Sequence, residues 1–346
     1  MTLKNSTLLF AALVASPLLL ALDLRVDAIA FGPDAGTSVE RELSMSGAMY
    51  IDDLQFNMDG EEIPAEMLGD VLDTAIEVEF TESVTDQFVK SGGGRPLVLL
   101  RTFNEITVMF SAAGETQEPE DAELVDSTVK FTWNDEDEEY EVSYEGEDGD
   151  GEELAGLDVD MDFTYLLPGD DVKVGASWEV TGEEGFKLLL PGGVSGGAED
   201  VPEEATEFLE LVQEIIDAQL EEALEEFTVD CTYEGKDDDG NALVAFEFEG
   251  EISLDLSELV MAAIDMQDLG GMEFDADISL TVDLELEGTG VLTWDTEAGH
   301  ARGFEMAVEV IILLDAVADI EVAGESHSGE GAIELSGEFE YEMSVE

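Results

Sequence analysis

Residues 273–287 read EFDADISLTVDLELE, in which Phe274, Ala276, Ile278, Leu280, Val282, Leu284 and Leu286 fall on alternate positions. Between them stand acids, one serine and one threonine. A period of two puts the apolar side chains on one face of a β-strand and the acids on the other. The same period runs through Val244, Phe246, Phe248, Ile252, Leu254 and Leu256. It returns in Phe304, Met306, Val308, Val310, Ile312, Leu314 and Ile320, and again in Ile333, Leu335, Phe339, Tyr341, Met343 and Val345. These are long strands: at about 3.4 Å per residue, a stretch such as 273–287 spans about 50 Å, where five or six residues is the common length. The short turn signals EGTG (287–290), DTEAG (295–299) and AGESHSGEG (323–331) predict antiparallel neighbours in a meander. Segments 129–142, 229–244 and 291–306 each place a threonine and then Trp or Tyr before an acidic turn, which anchors a hairpin end with an aromatic side chain.

Helical spacing is confined to a few places. Asp200 can cap a first turn that contains Pro202, and Phe208, Val212, Ile215, Ile216, Leu220 and Ala223 follow at helical intervals. One long amphipathic helix is thus predicted over 201–226, its other face acidic and without a Lys or Arg to relieve the repulsion. Shorter helices are predicted at 65–73, after Pro64, and at 258–269, before Gly270. The Gly-rich stretch 191–198 reads as a linker between an N-terminal β-rich half (31–190) and a C-terminal half (199–346) of helix plus meander. The fold class expected is mainly β, in the α+β sense. Long antiparallel meander strands would form a half-barrel or a two-sheet sandwich packed with the long helix.

Charge narrows the function. Of 346 residues, 44% are hydrophobic, enough for a substantial core, while 88 Asp and Glu face 11 Lys and Arg for a formal charge of -77. Such a surface repels phosphates, which excludes nucleic acid and disfavours anionic membrane surfaces as partners. The acid excess reads first as solvation chemistry for a salty medium, and next as a divalent-cation surface or a face for a basic protein partner.

The N-terminus reads as an address. Lys4 precedes the apolar run TLLFAALVASPLLLAL (7–22), and Ala28-Ile29-Ala30 offers a small-x-small cleavage site. Residues 1–30 are thus predicted to be a signal peptide, with a mature chain that starts near Phe31 in the periplasm or cell exterior; an uncleaved anchor is the alternative. Cys231 is the only cysteine, so no intramolecular disulfide forms, and its place beside Phe227, Val229 and Tyr233 predicts a small buried side chain.

Candidate chemistry is sparse. His300 and His327 fall in predicted turns and read as solvated residues, and no nucleophile, base and acid assemble, so no catalytic residue is assigned and the chain is not expected to be an enzyme. PGGVSGG (191–197) lacks the Lys of a phosphate loop. The acidic turns 145–153 and 236–241 offer carboxylates, Asp148 and Asp150 in one, Asp237 and Asp239 in the other, for weakly bound divalent cations such as calcium. No other cofactor is implied. Lys90, Arg95 and Arg101 crowd one cationic stretch, VKSGGGRPLVLLR (89–101), where they either pair with acids to pin a hairpin or meet an anion.

The segments VTDQFVKSGGGRPLVLLRTF (84–103), LLPGDDVKVGASWEV (166–180) and GTGVLTWDTEAGHARGF (288–304) together resemble a diffuse family of exported bacterial β-rich proteins of unknown function. Its marks are a signal peptide, a Leu-Pro turn leading to Val, Gly and Trp, and a late Trp-Asp hairpin. The resemblance implies export and a β fold, and it supplies no activity. The function expected is a non-catalytic envelope or extracytoplasmic structural or binding module adapted to salt. The alternatives are a carrier or sensor of a lipid-like apolar ligand in a groove between sheet and helix, and an outer-membrane β-barrel.

Overall fold

The computed structural model describes residues 26–63, 75–112, 115–116, 124–146, 154, 156–189, 191–193, 215, 219–220, 223–224, 226–266, 274–322 and 325–346. Thirteen strands form one antiparallel sheet. In chain order they are β1 (Ser38–Met58), β2 (Glu61–Glu62), β3 (Ala75–Gly92), β4 (Arg95–Ala112), β5 (Glu115–Thr116), β6 (Thr128–Asn134) and β7 (Glu139–Tyr144). There follow β8 (Ser177–Thr181), β9 (Thr228–Lys236), β10 (Ala242–Asp255), β11 (Phe274–Asp295), β12 (His300–Val322) and β13 (Glu325–Val345). The spatial order is β7-β6-β4-β3-β1-β13-β12-β11-β10-β9-β8, with β2 beside β1 and β5 beside β4.

The expected meander is present from β9 to β13, each strand pairing with the next. The two-sheet sandwich is not: every strand is hydrogen-bonded into the same sheet. Nor do the two halves of the chain hold separate sheets, since β1 pairs with β13 from Arg41–Val345 to Met58–Gly329. Pro191, Gly192 and Gly193 at the expected linker are tied down, with Gly192 bonded to Asp158 and Asp160 and Gly193 bridged to Leu157.

Two helices lie among the described elements, α1 (Glu183–Phe186) and α2 (Ser257–Met266), and α2 packs beside β11. α2 matches the helix expected at 258–269. The long helix expected over 201–226 and the short one at 65–73 fall mostly or wholly outside the described residues. Positions 215, 219, 220, 223 and 224 are helical, and the Gln219 side-chain amide clamps both backbone groups of Asp255 at 2.8 and 2.6 Å.

One face of the sheet, the inner face, packs on the segment 154–189 that enters between β7 and β8. A flat sheet would hold β4 and β8 about 38 Å apart, eight spacings of about 4.8 Å. Yet the segment 158–166, which contains a 3-10 turn at Thr164–Leu166, bonds to Arg101 on β4 and to Trp178 on β8. The sheet is curled around this plug. Phe163 of the plug stacks on Phe304 of β12 at 3.9 Å, and Phe304 stacks in turn near Phe246 of β10.

EGTG (287–290) is no turn. It lies within β11, where Gly288 and Gly290 face inward and leave room for the rings of Phe248 and Phe246 on β10. Segment 27–31 is bonded into the described fold. Asp27 exchanges two backbone bonds with Val172 and accepts from the Tyr233 hydroxyl, and Ile29 is buried.

Candidate functional site

Period-two alternation places four charged side chains where their strands otherwise point apolar groups inward: Arg41 between Val39 and Leu43, Glu82 and Asp86 on either side of Val84, and Arg101 between Leu99 and Phe103. All four are buried. Three of them close a network with the plug. Asp86 takes Arg41 Nη1 at 2.7 Å and a bidentate contact from Arg101 at 2.8 and 3.0 Å. Arg41 Nη2 donates to Asp162 at 2.7 Å, and Asp162 also accepts the backbone N–H of Ala301 on β12. The remaining Arg101 contacts run to the carbonyls of Asp158 and Val159. Burial by itself would lower the Arg41 pKa, but Asp162 and Asp86 reverse it and hold the guanidinium above its ordinary value. Two cations meet two anions with directed hydrogen bonds, the condition under which buried charge is tolerated; deleting one partner of such a set costs about 3–5 kcal/mol.

Asp160 is half-buried, and its pKa is raised to about 6 by loss of solvation and by Asp162. It is satisfied locally by the N–H of Asp162 and by the N–H and hydroxyl of Thr164. Glu82 differs. It is 8% exposed, makes no hydrogen bond or ion pair with any described residue, and burial lifts its pKa to about 7 in spite of Arg101.

Register shows what lies beyond Glu82. Its own row across the sheet is Ile106, Glu82, Leu43, Met343 and Phe304. The next is Val108, Phe80, Met45 and Tyr341, and the one after is Phe110, Val78, Gly47 and Phe339. On the plug side of Glu82 the inner face is closed, with Val84, Leu99 and Phe103 essentially inaccessible. On the far side it opens: Val108 is 37% exposed, Phe110 46% and, at the tip of β1, Met58 59%. The outer face is acidic, and in one row Glu249, Glu287, Glu309 and Glu338 stand directly opposite one another on four adjacent strands.

The residues singled out from sequence fall in different places. Arg101 is in the buried network. Arg95 lies at the β3–β4 hairpin with its guanidinium 4.0 Å over the Trp133 ring, and Lys90 is exposed without an ion pair among the described residues. Asp148 and Asp150 lie outside the described residues. The Asp237 carboxylate is occupied by its own turn, accepting from the backbone of Asp239 and Asn241 and from the Asn241 amide; Asp239 is exposed. Among the described residues no group of three or more ligating side chains is arranged to hold a metal ion. His300 is not a solvated turn residue: it is buried at the start of β12 with Nδ1 2.7 Å from the Ala301 carbonyl. His327 is exposed and sits 3.1 Å from Asp59. Cys231 is fully buried, and burial pushes its thiol up to about 12.

The class defined by these observations is an open, curled antiparallel sheet with an ionic plug at one end and an apolar inner face at the other. No protein-family model matches the chain, and comparison with curated proteins gives no match. Among solved structures, a mutant of the Rh. blastica porin aligns over 88% of this chain and 100% of its own at 8% identity and a TM-score of 0.14. Pseudomonas aeruginosa OccK7 (OpdD) aligns over 87% and 98% at 8% identity and a TM-score of 0.11. The outer membrane protease OmpT from Escherichia coli aligns over 90% and 98%, also at 8% identity, with a TM-score of 0.09. At these overlaps the likeness carries neither fold nor function to this chain. A membrane barrel requires its edges to meet, and among the described residues the sheet ends unpaired at β7 and β8.

Proposed function

We propose that this protein is an exported, non-catalytic binding module that holds an apolar, lipid-like molecule against the far part of its inner face. The supporting observation is the partly uncovered apolar surface made by Met45, Phe80, Val108, Phe110 and their neighbours in a chain of formal charge -77. Large apolar surface left open on a protein mostly marks a site of interaction. The reading includes export, with the leader removed upstream of Asp27 because that residue is bonded into the fold. Native protein purified without detergent and extracted into organic solvent should release a stoichiometric apolar compound on mass spectrometry. Clean extracts, together with failure to bind any long-chain probe, reject the reading.

A further inference from the structure

Glu82 is out of place as a purely structural residue. An ionisable group taken from water without a partner costs several kcal/mol, and proteins keep buried acids paired or hydrogen-bonded. Here the adjacent cations are already ion-paired, although Arg41 Nε has no hydrogen-bond partner among the described residues. Arg41 and Arg101 spend their charge on Asp86 and Asp162, and the donors of Arg101 point to Asp86 and to the plug carbonyls. With two cations balanced by two anions, the charge of Glu82 is surplus. Its carboxyl also stands at a boundary: Val84 on the same strand is inaccessible, while Phe80, Val78 and Ile76 continue the inner face for about 20 Å at about 3.3 Å per residue into the partly exposed region.

We propose that Glu82 is the headgroup subsite of this face and receives the ammonium of a single-chain amine amphiphile whose alkyl chain lies over Met45, Phe80, Val108 and Phe110. The assignment rests on the apolar-ligand reading above and adds the polar end. Charge complementarity selects the head. An ammonium supplies the hydrogen-bond donors that Glu82 lacks among the described residues and a positive charge closer than that of Arg101, and the field of a protein of formal charge -77 draws cations in. A carboxylate or phosphate head would meet Glu82 and that field as like charges. A neutral alcohol would satisfy one lone pair and leave the charge unpaired.

The test is calorimetric titration of dodecylammonium, dodecanol and dodecanoate into the full chain, in 1 M sodium chloride so that the acidic surface is screened to roughly 3 Å. Wild-type protein should bind dodecylammonium at least about tenfold tighter than dodecanol, with dodecanoate weakest. Glu82→Gln should remove the preference for the amine while still binding dodecanol. The outer-face variant Glu309→Gln should keep it, and butylammonium should give no measurable heat. Equal affinity of wild type for the three chains, or an amine preference that survives in Glu82→Gln, overturns the headgroup assignment while leaving the apolar site standing. Binding of none of the three overturns both. Should Glu82→Gln fail to fold, Glu82→Leu serves in its place, and the order of the three chains on wild type decides by itself.

Discussion

Glu82 also makes a prediction that needs no ligand. Burial, reinforced by Asp86 and opposed by Arg101, raises its pKa from 4.5 to about 7, so between those values the folded protein holds a proton that the unfolded chain has lost. Stability must then fall as pH rises through this window, and the full penalty stands above pH 7, on the order of 3 kcal/mol for a shift of this size. Glu82→Gln should match wild type near pH 4 and exceed it in urea unfolding at pH 8 by up to about 3 kcal/mol. A variant that is less stable than wild type at pH 8 would show that Glu82 is paired. Asp160, with its pKa at about 6, titrates in both proteins, and the difference between them isolates Glu82. Of the four charged residues buried on the strands only Arg101 was singled out from the sequence, and parity is the signal that marks the others. Arg41, Glu82, Asp86 and Arg101 each occupy an inward parity position in an alternating strand, and a charge at such a position has to be partnered or used. Which of them meet was not legible, because Arg41 reaches Asp162 across 121 positions and through a plug that has no period of its own.

At the level of the strand, period two marked β10 and β12 closely, because each strand turns one face to the core and one to water, but it fell short of the end of β11 and of the start of β13, which begins at Glu325 inside the expected turn 323–331. It misled at EGTG, where glycine signalled a turn but in fact makes space. A Cβ on Gly290 would lie 2.3 Å from Cζ of Phe246 and 2.4 Å from the Glu305 carbonyl oxygen; one on Gly47 would lie 2.2 Å from the Phe339 ring. Aromatic rings thus lie across glycines of the neighbouring strand, at Phe246–Gly290, Phe248–Gly288 and Phe339–Gly47, filling the inner face where two large side chains would not fit side by side. Gly290→Ala should cost about 1–3 kcal/mol, since a backbone oxygen cannot rotate away. Gly329→Ala, whose Cβ would meet only the Asn57 carbonyl oxygen at 3.9 Å, should stay within about 0.5 kcal/mol. Similar losses at both positions in chemical denaturation would refute the packing account.

For the molecule as a whole, the acidic outer face sets the conditions for folding. Directly opposed like charges destabilise a sheet, and the row Glu249, Glu287, Glu309 and Glu338 repeats that penalty across four strands. Screening shortens the range of repulsion from roughly 30 Å at 0.01 M to roughly 3 Å at 1 M salt. The melting temperature should therefore climb steadily with sodium chloride, and calcium should do no better at matched ionic strength, because Asp237 spends its oxygens on its own turn. A flat profile would reject the solvation account, and a large extra effect of millimolar calcium would reveal a specific site.

The position of β1 in the sheet has a temporal meaning. Its neighbours are β3, which follows closely in the chain, and β13, which lies far along it. The middle of the sheet thus closes only once β13 has been made. Until the final strand arrives, Leu43, Met45, Met49 and Ile51 lie on an edge with one vacant side, and closing that seam joins residues nearly three hundred positions apart. Contacts so distant in sequence make folding slow. Between the making of β1 and that of β13 the seam stands open, so this part of the sheet lags behind the hairpins on either side of it.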